Sequence, residues 1–246
     1  MVSIALYNIK GGVGKTAGCV NLAYLAAGQG KKVIVWDLDP QGSASFYFQQ
    51  TSRLKGSLKK MLQADVSLTE NIHETGFENL DIIPADFSNR ELDVVLDHLK
   101  QSKKKFRSLV NQLEGHYDYL FIDCPPGIGP LSEAIFSAAD YVVLPTIPTT
   151  LSIRTYEMVK GFFEANQLDT SRIRCYFSMV DIRKNLHNDT IAQYYKDKHF
   201  LKNYIPYLST IEKMGMQVAP VAVYAPSSYA AQCFMDVWKE LKKSIS

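Results

Sequence analysis

Short runs of apolar residues recur along the chain, each followed by a stretch with helical spacing. Residues 2–7, 33–36, 80–83, 119–122 and 141–144 form such runs, and residues 174–179 resemble them. A run this short, apolar on both of its alternating faces, is what a strand buried between two layers requires. The intervening stretches 15–29, 91–113, 151–164 and 189–198 read as helices, and a weaker strand is expected near Tyr204. A last helix is expected from Ser227, with Phe234, Val237, Trp238, Leu241 and Ile245 along one side. This alternation predicts an α/β fold, a doubly wound, mostly parallel β-sheet sandwiched by helices, because crossovers between parallel strands are right-handed. No linker or internal repeat interrupts the pattern, so residues 1–246 read as one domain. Ligands in such folds bind beyond the carboxyl ends of the strands, and the chemically informative loops of this chain fall there.

Composition narrows the function classes. Hydrophobic residues make up 46% of the chain, enough for a sizeable core. The formal net charge of +2 excludes a chain-wide attraction to nucleic acid, so any such contact must come from a local patch. Cys19, Cys124, Cys175 and Cys233 are scattered without metal-ligand spacing and read as reduced thiols of a cytosolic protein. The first apolar run is too short for a signal peptide, and no run approaches the roughly 20 residues of a membrane span.

The strongest local signal is Lys10-Gly11-Gly12-Val13-Gly14-Lys15-Thr16, between the first strand and the first helix. That context is what a phosphate loop needs: glycines let backbone N–H groups close around phosphates, and the helix N-terminus adds a favourable dipole. Lys15 would neutralise the β- and γ-phosphates, and Thr16 would offer its hydroxyl to Mg²⁺. The ordinary pattern places a glycine six residues before the lysine. Ile9 stands there and Lys10 follows, so the loop is a variant with a second lysine at its start. From there Lys10 would project towards another subunit's phosphates.

Two acidic loops accompany it. Asp37-Leu38-Asp39-Pro40-Gln41-Gly42 ends the second strand, and alternation along the strand end sends Asp37 and Asp39 the same way. Such carboxylates beside a phosphate loop suit Mg²⁺ and an attacking water. Asp123-Cys124-Pro125-Pro126-Gly127 ends another buried strand, placing a carboxylate where it would hold Mg²⁺ through water. Cys124 alone cannot hold a cluster and reads as packing.

With these elements in this order, the chain resembles the ParA/Soj and MinD family of deviant Walker ATPases, over nearly its whole length. Residues 10–16 match the variant Walker A loop with its signature lysine, residues 37–42 look like switch I, and residues 123–127 look like Walker B and switch II. Ile83-Pro84-Ala85, residues 180–186, Ile205-Pro206 and Tyr224-Ala225-Pro226 also fall in family order, which adds Pro206 to the expected nucleotide contacts. The first strand begins at Val2, so the likeness is to the short partition members, without an N-terminal helix-turn-helix.

The resemblance implies ATP and Mg²⁺ as cofactors and a homodimer closed face to face around two nucleotides. Lys10 would reach the partner's nucleotide in trans, while Gly11, Gly12, Val13, Gly14, Lys15, Thr16 and Ala17 act in cis. Asp39 would position or activate the attacking water, and Thr16, Asp39 and Asp123 would serve the magnesium shell. Slow turnover, stimulated by a ParB-like or other adaptor, is implied as well. Cytoplasmic residence, with nucleoid association in the ATP state, also follows from the likeness. The chain departs from the family at Ala17, where many relatives carry Thr, and at Tyr207, where partition relatives often carry a DNA-contacting Arg. Arg183, Lys184, Lys196, Lys198, Lys202 and Lys213 form an alternative set of DNA contacts; ordinary solvated charge is the competing reading. Lys103, Lys104, Lys105 and Arg107 read as a solvated helix face. The last helix, with Lys239, Lys242 and Lys243 beside its apolar side, reads as packed on the sheet; a membrane-seeking helix as in MinD is the alternative. Three functions stay in view: a DNA-binding partition ATPase, a membrane-associated positioning ATPase, and a metabolic relative. The metabolic reading lacks the extra domains or bridging cysteines it would need.

Overall fold

The structure, a computed structural model, describes residues 1–50 and 54–245. Seven strands, β1 (Val2–Leu6), β2 (Val33–Asp37), β3 (His73–Phe77), β4 (Leu80–Ile83), β5 (Tyr119–Asp123), β6 (Tyr141–Thr146) and β7 (Ile173–Phe177), form one sheet in the order β3-β4-β2-β5-β1-β6-β7. All neighbours are parallel except β3, which lies antiparallel on β4. The expected doubly wound sheet is therefore present, with helices on both faces.

Register fixes the site. β1 lies between β5 and β6, with Leu6 opposite Asp123 on one side and Val143 on the other. β2 and β5 end in step, so Asp37 stands opposite Asp123. The loop leaving β1 thus emerges beside two carboxylates on adjacent strand ends.

Four local expectations change. β3 escapes the apolar pattern because it is an edge strand whose residues alternate between half-buried and exposed. The helix expected over 91–113 is broken into Leu92–His98 and Ser102–Asn111 by Gln101, whose φ of 58° is left-handed. The helix expected over 189–198 instead spans Asn185–Tyr194. The chain near Tyr204 is not a strand; only isolated bridges join Cys175 to Phe200 and Val180 to Pro206 there.

The last helix, Tyr229–Ser244, decides between packing and membrane. Its stripe of Phe234, Val237, Trp238 and Leu241 is buried in the same core as Cys19, Val20, Leu22 and Ala23 of helix Lys15–Ala27. The Trp238 ring meets Tyr119 edge-on at 5.4 Å and Phe121 at 5.9 Å. Each such side chain contributes roughly 1.5–3 kcal/mol on burial, so the helix is an integral core element. Among the described residues no helix is long and apolar enough to cross a membrane. All four cysteines are buried free thiols.

Candidate active site

The loop from Lys10 to Gly14 leaves β1 and turns directly into helix Lys15–Ala27. Gly12 and Gly14 have φ of 71° and 92°, which a side-chain-bearing residue adopts only with strain. A Cβ on Gly14 would also meet the Ser178 hydroxyl at 2.9 Å. Asn8, fully buried, braces the loop from below. Its amide donates to the Pro145 carbonyl at 2.9 Å, and its oxygen accepts from the Lys10 N–H at 3.0 Å. The Lys15 ammonium donates to the Lys10 carbonyl at 3.1 Å, so the positive charge lies across the loop.

These residues wall a cleft of about 440 Å³ lined by Gly11, Gly12, Gly14, Lys15, Thr16 and Ala17. Asp39, Gln41, Ser43, Tyr47, Pro126 and Met179 complete it. A second hollow of about 200 Å³ shares Gly14, Ala17, Tyr47 and Met179 with it, and continues to Pro206 and Phe234. The two together have the form a nucleotide needs: a polar, glycine-rich part for phosphates and an apolar part for a base. A larger hollow of about 640 Å³, lined among others by Lys32, Asn79, His116 and Tyr117, lies at the opposite ends of the strands. Its lining includes the carboxylates Glu74, Glu78 and Asp81, which would repel a phosphate.

The two acidic loops do not present both aspartates to the cleft. Pairing with β5 continues one residue past β2, through the Leu38 N–H to the Asp123 carbonyl at 3.0 Å, and the Asp39 N–H then donates to Asp37 Oδ1 at 3.2 Å. Asp37 is buried, and its Oδ2 accepts from the Ser45 N–H at 2.8 Å and hydroxyl at 2.7 Å. Asp39 is half-buried, its Oδ1 accepting from the Gln41 N–H at 2.9 Å, and it lines the cleft. Asp123 lies beneath, fully buried, and among the described residues neither of its oxygens accepts a hydrogen bond of ordinary geometry, the Thr16 hydroxyl being the donor close enough to ease its charge. Val13 is buried under the loop, and Lys10 is half-buried at its start. Sequence reasoning missed Ser45, Tyr47 and Met179; nothing near them in the sequence marks them as part of a site.

The electrostatics are strained in the direction a cation would relieve. Burial, and then the neighbouring Asp37, hold the Asp123 carboxyl well above the usual range, partly offset by the Thr16 hydroxyl and the Lys15 ammonium. Burial also pushes Asp37 up to about 6 despite the Ser45 hydrogen bonds. Burial lowers the Lys15 ammonium, opposed first by Asp123. A buried carboxylate without a partner, next to a hydroxyl at a helix N-terminus, fits a hydrated Mg²⁺.

A pH dependence follows. Both carboxyls hold their protons more tightly folded than unfolded, so their contribution makes stability fall as pH rises from about 4; for Asp37 the window closes near 6. Asp123→Asn removes the buried charge and is expected to stabilise the nucleotide-free protein at pH 8 by roughly 1–3 kcal/mol. The gain should shrink towards pH 4. Denaturant midpoints at the two pH values, in chelator, check this, and an unchanged or lowered midpoint at pH 8 rules it out.

The predicted basic residues are all exposed. Arg183 and Lys184 stand at the start of helix Asn185–Tyr194, and Lys196, Lys198 and Lys202 follow its other end, about 15 Å away by helical rise. Arg183 is forked onto Asp181 at 2.8 and 2.9 Å, and that pairing lowers the Asp181 carboxyl to about 2. Lys202 lies over the Tyr195 ring at 4.3 Å. Lys213 follows helix Ser209–Glu212, beside the apolar hollow.

Known proteins resemble this chain over most of its length. A family model described as an AAA domain matches residues 1–170. The sporulation initiation inhibitor protein Soj of Bacillus subtilis is 30% identical over 249 residues, covering 97% of each chain. A virulence plasmid ParA family protein of Chlamydia psittaci is 31% identical over 258 residues, covering 100% of this chain and 96% of its own. The chain belongs to the ParA/Soj/MinD family of P-loop ATPases. Cyanothece McdA, solved as an ATP complex, shares the fold of this ParA-like ATPase with a TM-score of 0.84 at 20% identity, covering 98% of this chain and 96% of that one.

Proposed function

We propose that this ParA-like ATPase is an ATP-switched homodimer that binds DNA without sequence preference. On this reading it partitions or positions a cargo, which would be a plasmid, a chromosome or a protein assembly. The observation that carries it is the single cleft in which Lys15, Thr16 and Asp39 meet above the unpartnered Asp123, with Lys10 at the loop's start. Thr16 and Asp123, with Asp39 beside them, would hold Mg²⁺. When bound, that ion neutralises charge on the β- and γ-phosphate oxygens. Lys15 and the loop's N–H groups orient the phosphates, Asp39 positions the attacking water, and Pro206 borders the base. Hydrolysis by this route is positioning plus electrostatic stabilisation. Slow turnover, stimulated by an adaptor, suits a switch, and residence in the cytoplasm, on the nucleoid when ATP-bound, goes with it.

Dimerisation is supported by exposed apolar side chains on the loops and first helical turns that follow β5, β6 and β7, at the same end as the phosphate loop. These are Ile128, Leu151, Ile182 and Leu186, each 46–65% exposed. Lys10 at the start of the loop suits contact across such a face. Arg183, Lys184, Lys196, Lys198, Lys202 and Lys213 are the proposed phosphate contacts. Sharing Arg183 with Asp181 weakens its pull on DNA, so the lysines beyond Tyr194 would carry more of the affinity.

The test is binding to random-sequence duplex DNA with ATP, with ADP and without nucleotide, at fixed near-physiological salt. Binding is expected only with ATP, and it should weaken steeply as salt rises, because phosphate contacts release counterions. Absence of binding in all three states would overturn the DNA reading. Retention on anionic liposomes instead would move the protein to the membrane-positioning class.

A further inference from the structure

We propose that Asp93 is a positioning residue for ATP hydrolysis, clasping the end of the loop that follows Asp123 from a separate helix; this rests on the ATPase reading above. The loop Cys124–Gly129 joins β5 to helix Pro130–Ala138. Midway along it is pinned to the phosphate-loop side: the Gly127 N–H donates to the Ile9 carbonyl at 3.0 Å, and the Tyr7 hydroxyl donates to the Gly127 carbonyl at 2.7 Å. At its far end the helix begins at Gly129, which has no side chain to satisfy the free N–H groups of the first turn. Asp93, on helix Leu92–His98, supplies the missing acceptor. Its Oδ1 takes the Leu131 N–H at 2.9 Å.

Gly129 is shaped for this clasp. Its backbone is extended, so conformation alone does not demand glycine. A Cβ there would meet Asp93 Oδ1 at 2.7 Å and Cγ at 3.1 Å. The absent side chain is what lets the carboxylate reach the turn.

The segment that carries Asp93 also touches the other acidic loop. The Ala85 N–H donates to the Ser45 hydroxyl at 2.8 Å, and that hydroxyl donates to Asp37. Between Ala85 and Asp93 the chain is stiffened by a turn of 3-10 helix, Phe87–Glu91, capped by Asp86 through the Ser88 N–H at 2.9 Å. One short strap thus hydrogen-bonds to the start of the helix that follows each acidic loop, at Ser45 and at Leu131. Loss of the clasp should leave phosphate binding intact and loosen the loop that carries Pro126 into the cleft, so its effect falls on the chemical step.

Asp93→Ala is therefore expected to lower the single-turnover rate of hydrolysis about fivefold, the worth of one net hydrogen bond. KM for ATP and affinity for ADP should stay within about twofold, because of this loop only Pro126 lines the phosphate cleft, and the phosphate loop itself is untouched. Asp93→Asn keeps an oxygen acceptor for the Leu131 N–H and should restore the rate. Gly129→Ala should reproduce the loss by displacing the carboxylate. An Asp93→Ala rate equal to or above wild type overturns the proposal. So does an Asp93→Asn rate as low as that of Asp93→Ala, or an ADP affinity that falls in step with the rate. A wild-type protein that does not hydrolyse ATP would instead sink the ATPase reading on which the clasp rests.

Discussion

Lys15→Ala is expected to lower ATP affinity by at least about 100-fold while leaving the fold intact. A charged hydrogen bond contributes about 1.5–3 kcal/mol, and an ammonium among phosphate oxygens makes more than one, so the combined loss reaches two or more decades. The structure separates this from a stability effect. The Lys15 side chain is buried, with 6% of the residue exposed, and its protein hydrogen bond runs to the Lys10 carbonyl. Its charge is desolvated without nucleotide, as the lowering of its pKa by burial reflects. Removing it therefore relieves a burial cost in the nucleotide-free protein, apart from the loss of its pull on Asp123. Equilibrium titration with a fluorescent ATP analogue, alongside a melting curve without nucleotide, tests both halves. Wild-type affinity in the variant would remove the phosphate-loop assignment. A collapse of the melting temperature would mean that Lys15 serves the fold.

The parts of this architecture legible in the sequence are those in which one physical demand acts on consecutive residues. β1, β2, β5 and β6 are buried on both faces, so each is apolar along most of its length, with polar residues such as Ser3, Asp37, Asp123 and Thr146 as exceptions, and their runs stand out. The phosphate loop was legible for a similar reason: helix start, glycine and lysine must follow one another directly. β3 was not, because an edge strand has to satisfy only half of its surface, and His73-Glu74-Thr75-Gly76-Phe77 has no apolar run. Nor was the break at Gln101, since a left-handed glutamine carries no glycine or proline to announce it. The deeper layer of the site was illegible because tertiary contacts assemble it. Ser45 takes part by bonding Asp37 eight residues earlier, and Asp93 by reaching Leu131 across 38 positions. Alternation is expected to send Asp37 and Asp39 the same way, but of the two only Asp39 lines the cleft, because the Asp37 carboxylate is taken up by the Ser45 N–H and hydroxyl.

That division between the two aspartates sets the second large effect. Asp39→Ala is expected to cut ATP turnover by about 10²-fold or more, the usual range for losing a group that positions or accepts a proton from the nucleophile, while ATP affinity changes little. The geometry supports the split. Asp39 lies beyond the strand end, in the lining of the phosphate cleft, with one carboxylate oxygen held by the Gln41 N–H. Asp37 is committed to Ser45, and Asp123 is buried beneath the loop, so neither substitutes for Asp39 at the cleft surface. The loop should hold its shape in the variant, since its turn also rests on the backbone bond from the Gly42 N–H to the Asp39 carbonyl. If the ATP state is the dimer, blocking hydrolysis should also accumulate dimer, read as a doubling of mass by light scattering that persists with ATP and is absent with ADP. Rapid-quench turnover and light scattering on one preparation distinguish the possibilities. Wild-type turnover takes Asp39 out of the mechanism. Lost turnover with lost ATP affinity makes it a binding residue. Lost turnover with ATP bound but no dimer would sever the proposed link between the γ-phosphate and subunit closure.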